Sequence, residues 1–115
     1  MRSTFRMEDE YITMTRGDTL SFGMEIKDDS GSGVDLDTAY MTCKKSFTDE
    51  TNIFKKSLGD GITKVDDGQY AVRVAPEDTK DVAVGKYFYD LEIGVNGDVF
   101  TVKKGVLELE ADVTN

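Results

Sequence analysis

From Gly85 to Thr114 the chain alternates apolar and polar residues with a period of two on either side of Asn96-Gly97. On the first arm Tyr87, Tyr89, Leu91, Ile93 and Val95 share one face, and Lys86, Phe88, Asp90, Glu92 and Gly94 share the other. An Asn-Gly pair is what a type I′ turn demands, because both of its central positions need positive φ. The segment therefore predicts a long antiparallel hairpin. A helical period cannot be laid on the same residues.

The rest of the chain repeats the habit. Thr19 to Lys27 sets Leu20, Phe22, Met24 and Ile26 on one face, and Gln69 to Val74 turns Tyr70, Val72 and Val74 inward. Shorter strands are expected over Glu10 to Thr15, Ala39 to Thr48, Ile53 to Lys56 and Ile62 to Val65. Arg16-Gly17-Asp18, the Asp28 to Gly33 run, Gly59-Asp60-Gly61 and Asp66-Asp67-Gly68 read as turns and loops. Residues 76–82 are the one place where a short helical turn is expected, opened by the single proline, Pro76. Gly105 interrupts the last strand and predicts a bulge or bend.

About seven to nine short strands with frequent turn signals predict an all-β, immunoglobulin-like antiparallel β-sandwich, with a small closed barrel as the alternative. Residues 1–9 read as a flexible N-terminal arm and residues 10–115 as a single domain. A chain of 115 residues is long enough to bury a core without metal or disulfide support.

Charge and cysteine content narrow the function. A net charge of −9, from 23 acidic and 14 basic residues with no histidine, repels phosphate backbones and anionic membranes, so neither nucleic acid nor membrane is an expected partner. The lone cysteine, Cys43, excludes an intrachain disulfide framework, and its place in the Ala39, Met41, Cys43 alternation reads as a small buried hydrophobe. No apolar run has the length of an export signal or a membrane span.

Pro76-x-Asp78-Thr79, followed by Gly85-x-Tyr87-x-Tyr89-Asp90-Leu91, resembles the corner of immunoglobulin-like domains at which a tyrosine bonds back to the crossover. That likeness makes Tyr87 the structural corner, with Asp78 and Thr79 beside it, and puts Tyr89 where antibody domains carry a cysteine. A wider ordered set resembles the small immunoglobulin-like modules of tailed bacteriophages and prophages, among them the N-terminal module of the baseplate upper protein. It comprises Ile12, Arg16-Gly17-Asp18-Thr19, Asp35-Leu36-Asp37, the proline corner, Tyr87-x-Tyr89-Asp90-Leu91 and Asp112-Val113-Thr114. The resemblance implies a non-enzymatic virion structural protein made in the bacterial host cytoplasm. It would belong to baseplate, tail or head and dock to other virion proteins or to itself. It implies no cofactor and no small-molecule substrate. A carbohydrate- or cell-surface-binding β-sandwich is the alternative, and a small enzyme or inhibitor a third reading.

Each candidate motif has a plain structural reading beside a functional one. Arg16-Gly17-Asp18 matches an adhesion tripeptide, but Gly17 in a turn with Asp18 bonding backbone amides is the reading preferred. Asp28, Asp29, Asp35 and Asp37 offer oxygen ligands for calcium, yet their spacing departs from the twelve-residue calcium loop. No histidine or activated nucleophile is available for catalysis. Three basic doublets, Lys44-Lys45, Lys55-Lys56 and Lys103-Lys104, each send one lysine outward, either to guard a sheet edge or to meet an acidic neighbour. Phe88 and Phe100 are expected on the face opposite the core set. There they and Phe5 are the candidate partner interface, either buried by another subunit or covered by the arm through Phe5 and Met7.

Overall fold

The computed structural model describes residues 8–46 and 48–112. Eight strands and one four-residue helix follow in order: β1 Tyr11–Thr15, β2 Leu20–Glu25, β3 Thr38–Lys44, β4 Phe54–Leu58, β5 Gly61–Asp66, β6 Gln69–Val74, α1 Pro76–Thr79, β7 Gly85–Val95 and β8 Asp98–Glu110. The fold is all-β. The strands join in one hydrogen-bonded sheet in the order β1-β8-β7-β3-β4-β5-β6-β2, with β1 and β2 at its two ends.

The β7–β8 hairpin forms as its turn chemistry dictates. Asn96 and Gly97 both take positive φ, 53° and 86°, and the ladder opens with Val95 opposite Asp98 and runs back to Gly85 opposite Leu109. The register slips between Leu91 and Glu92, where Val102 is the extra residue on β8. That is where the strand bulges. Gly105 stays in register opposite Tyr89 and answers to a different constraint, described below.

β1 runs parallel to β8, Tyr11 beside Val106 through Thr15 beside Glu110. The other parallel contact, β4 with β5, consists of two residue pairs, Ser57 with Gly61 and Leu58 with Ile62. It is a narrow seam between two halves, β1-β8-β7-β3-β4 and β5-β6-β2.

A sheet with one apolar face and only one helical turn to cover it must fold over itself. Met41, Cys43, Leu91, Ile93 and Leu107 from the first half share a core cluster with Met24, Ile62, Val72 and Val74 from the second. Met41, Ile62, Val72, Val74 and Ile93 are fully buried, and truncating such a residue to alanine typically costs about 2–5 kcal/mol. Cys43 lies in the same core, and burial alone pushes its thiol up to about 12. It is chemically quiet there.

Candidate functional site

Motifs that are far apart in sequence meet at one end of the molecule. The Arg16 guanidinium donates to Asp112 Oδ1 from Nε at 3.2 Å and from Nη2 at 3.0 Å, and Nη1 donates to the Val82 carbonyl. Arg16 thereby holds Asp112 below the usual carboxylate range. Gly17, at φ 83°, donates its N–H to the fully buried Thr79 Oγ1 at 2.9 Å. Asp78 Oδ2 accepts the Ala75 N–H at the helix start and pairs with Lys56 Nζ at 2.6 Å. The Tyr87 hydroxyl donates to the Ala83 carbonyl at 2.6 Å. Arg16, Gly17, Asp78, Thr79, Tyr87 and Asp112 are thus consumed in fastening β1, α1, β7 and the end of β8 together. The Asp18 backbone N–H, rather than its carboxylate, closes the tripeptide turn onto the Thr15 carbonyl.

The acidic loops are engaged in the same way. Asp28 Oδ1 accepts from Ser30 N–H, Ser30 Oγ–H and Ser32 N–H, which lowers its pKa. Lys64 pairs with Asp35 at 2.8 Å and Asp67 at 3.5 Å, and Asp37 accepts the Asn96 N–H. Among the described residues no group of three or more His, Cys, Asp or Glu side chains is placed to hold a metal ion.

The remaining candidate surface is the outward face of the half formed by β1, β8, β7, β3 and β4. Antiparallel partners point to the same side, so the registers define rows across it. One row is Lys55, Thr42, Asp90, Lys104, on β4, β3, β7 and β8. The next is Ser57, Tyr40, Glu92, Thr101. On the other side of the first lies Lys44, Phe88, Val106, Tyr11. Tyr40, Thr42, Lys44, Asn52, Lys55, Asp90 and Glu92 line a polar depression of about 400 Å³, with Lys55 Nζ 4.6 Å from the centre of the Tyr40 ring. Burial raises the Asp90 carboxyl above its ordinary value, and the ammonium groups of Lys44, Lys104 and Lys55 pull it partly back.

This face accounts for the basic doublets. Lys44, Lys55 and Lys104 point outward together, while Lys56 is drawn to Asp78 and Lys103 lies opposite the inward Leu91. Of the aromatic candidates, Phe88 does lie on the outward face, half-buried between Lys44 and Val106. Phe100 does not. It sits across from Ile93 and packs against the core, so the two rings point to opposite sides of the sheet. The turn itself carried this signal: a two-residue connection pairs Val95 with Asp98, which puts Phe100 on the Ile93 side. Phe5 and the arm up to residue 7 lie outside the described residues, while Asp9 is held by the Lys104 N–H at 3.1 Å.

One further cluster joins residues 79 and 93 positions apart, which no local sequence motif marks. The Glu10 carbonyl accepts the Tyr89 hydroxyl at 2.8 Å, and its carboxylate pairs with Lys103 Nζ at 2.6 Å. A Cβ on Gly105 would stand 2.1 Å from the Glu10 carbonyl oxygen and 3.2 Å from the Tyr89 ring. Gly105 is therefore the gap through which residue 10 approaches β8. Burial and the nearby charges of Glu10 and Asp9 lift the Tyr89 hydroxyl to about 12.

No protein-family model matches the chain, and no curated protein matches it. Among solved structures 27 chains match. One is the X-ray structure of the endo-β-1,4-mannanase from Thermotoga petrophila, 10% identical over 90% of this chain with a TM-score of 0.57. The match takes in 18% of the mannanase chain, so this protein spans under a fifth of that enzyme's length. At that identity the likeness concerns fold alone.

Proposed function

We propose that the chain is an immunoglobulin-like, non-enzymatic structural module of a tailed-phage or prophage virion, acting by docking its outward sheet face to neighbouring virion proteins. The sandwich reading is supported by the strand neighbourhoods. β8-β7-β3-β4 on one side of the narrow seam and β2-β6-β5 on the other match the two sheets of immunoglobulin-like domains, with β1 along β8. The Tyr87 hydroxyl on the Ala83 carbonyl, four residues upstream, is the bond that the tyrosine corner of such domains makes.

One observation carries the functional reading. Of the ordered motifs that resemble the phage modules, Arg16-Gly17, the proline corner, Tyr87 and Asp112 converge on one another through Arg16–Asp112, Gly17–Thr79 and Tyr87–Ala83. Asp35 and Asp37 are held separately by Lys64 and the Asn96 N–H. These polar groups are spent on holding the strands in place. A signature of this kind marks a rigid part. Chemistry is left to the outward face, which presents charge and aromatic surface suited to a protein neighbour. The test is particle composition. Particles from a strain that carries this gene, purified by density gradient, should yield its peptides by mass spectrometry at a constant ratio to the major structural proteins. Absence from such particles, together with a monomer that binds none of their components, overturns the reading.

The polar depression over Tyr40, with Asn52, Asp90 and Glu92 around it, favours a second reading, a carbohydrate-binding module. Lys55 over the Tyr40 ring occupies the stacking position a sugar would take. Saturable binding of a soluble oligosaccharide, lost in Tyr40→Ala, would promote that reading over the first.

A further inference from the structure

Three lysines from separate parts of the sequence, Lys44, Lys55 and Lys104, stand on one surface of a chain whose net charge is −9. Asp90 and Glu92 share that face, so the lysines stand as separate cationic points around a carboxylate pair. Adjacent strands lie about 4.8 Å apart, so Lys55 on β4 and Lys104 on β8 are rooted about 14 Å from each other across the sheet. Asp90 lies between them. Its carboxylate feels the three ammonium groups through space but accepts no side-chain hydrogen bond among the described residues, so an acceptor stands open between the lysines.

We propose that this face docks an extended, carboxylate-rich segment of a partner protein, laid across β4, β3, β7 and β8. One acidic residue sits on Lys55, a second four residues along sits on Lys104, and the residue midway offers Asp90 a hydroxyl or amide donor. The spacing selects the conformation. Extended chain advances about 3.3 Å per residue, so four residues cover about 13 Å, and positions i, i+2 and i+4 face the same way. A helix places i and i+4 only about 6 Å apart, too short to bridge the lysines. A nucleic-acid strand carries a phosphate at every nucleotide, so charge would also fall on Asp90 between the two lysines, whereas the midway residue of the peptide is uncharged. The inference rests on the docking reading above and specifies the chemistry of the neighbour.

The probe is a synthetic peptide carrying Glu-Gly-Ser-Gly-Glu, titrated into the isotopically labelled full chain and followed by amide chemical shifts. Saturable shifts are expected around Thr42, Lys44, Lys55, Asp90 and Lys104, with a Kd of roughly 1 mM or tighter. Lys55→Glu or Lys104→Glu should weaken binding roughly tenfold, whereas Lys27→Glu and Lys80→Glu, with the same change in net charge elsewhere, should alter it less than about twofold. The same spectra report whether each variant is folded. The proposal is overturned by an absence of saturable shifts, by shifts centred on other elements, by equal losses in the control variants, or by tighter binding of a single-stranded oligothymidylate. Failure here leaves the particle-composition result untouched. A chain that binds the peptide but is missing from particles overturns the virion assignment alone.

Discussion

Lys103 and Glu10 meet at 2.6 Å where the chain first reaches the sheet, the lysine nearly buried on the inward side of β8 and the glutamate largely open to water. The same ammonium stands 6.0 Å from the centre of the Phe22 ring on β2, so one side chain lies between the entry to β1 and the strand at the other end of the order. Its aliphatic stem packs inward while its charge reaches the rim. Glu10→Ala removes the only anion paired with that cation among the described residues. Solvent access at Glu10 limits the cost to about 1 kcal/mol, well short of a fully buried pair. Lys103→Met, which keeps the stem and removes the charge, should cost less than Glu10→Ala. Urea denaturation of the two variants checks the order.

Gly105→Ala should be the more damaging change at the same place. The added methyl would overlap the Glu10 carbonyl oxygen, so residue 10 must lift away, and the Tyr89 bond to that carbonyl goes with it. The expected loss is about 2–3 kcal/mol. Amide exchange near β1 should accelerate, and Tyr89 should titrate closer to an ordinary tyrosine.

Tyr87→Phe tests the corner. The variant retains the buried ring and loses one hydroxyl bond to an exposed residue's carbonyl, which water can then satisfy. Stability should fall by about 1 kcal/mol, or about 4 °C in Tm, without loss of fold. Thermal unfolding followed by circular dichroism reads it.

Stability should decline in alkali through two buried acids. Cys43 is raised from 9.0 to about 12 and Tyr89 from 10.0 to about 12. In both cases the folded chain holds its proton where the unfolded chain has released it. Their contribution is complete below about pH 9 and falls as pH rises from about 9 toward 12. Cys43→Ala should flatten the part of that decline between about pH 9 and 10, at the cost of a small cavity. Urea midpoints measured from pH 7.5 to 10.5 would show it, and Cys43 should resist alkylation until the chain unfolds.

Arg16→Lys should show how much of the end-to-end fastening depends on a forked donor. Lysine can pair with Asp112 but cannot also span the two-nitrogen contact and the Val82 carbonyl. A loss of about 1 kcal/mol is expected, with Gly17–Thr79 left in place. Double-mutant cycles with Asp112→Asn isolate the pair.

The parts of the molecule that were legible in the sequence are those written locally. Asn96-Gly97, the alternation through Leu20 to Ile26 and through Tyr70 to Val74, and Pro76 at the helix start each act within a few residues, and each forms as expected. Phe100 lies on the inward side, contrary to expectation, because the two-residue turn pairs it with Ile93, a relation that the alternation within β7 alone does not carry. A glycine inside a strand marks either a bulge or bend or a close backbone approach, and at Gly105 it is the approach of Glu10. The bulge lies at Val102, where the β7–β8 register shifts. The meeting of Lys44, Lys55 and Lys104 depends on which strands adjoin β3 and β7, and such long-range pairing leaves no mark on any one segment. The same holds for the Glu10 clamp, whose partners stand 79 and 93 residues away.

The parallel alignment of β1 with β8 has a mechanical consequence. Residue 10 arrives at one pole of this strand pair and residue 111 departs from the other, so tension applied through the two ends runs along the pair. The rungs between Tyr11 and Thr15 and their counterparts on β8 would then be strained in shear, all at once, instead of peeling apart singly. A module strung in series within a larger assembly could bear load in that direction without opening its core.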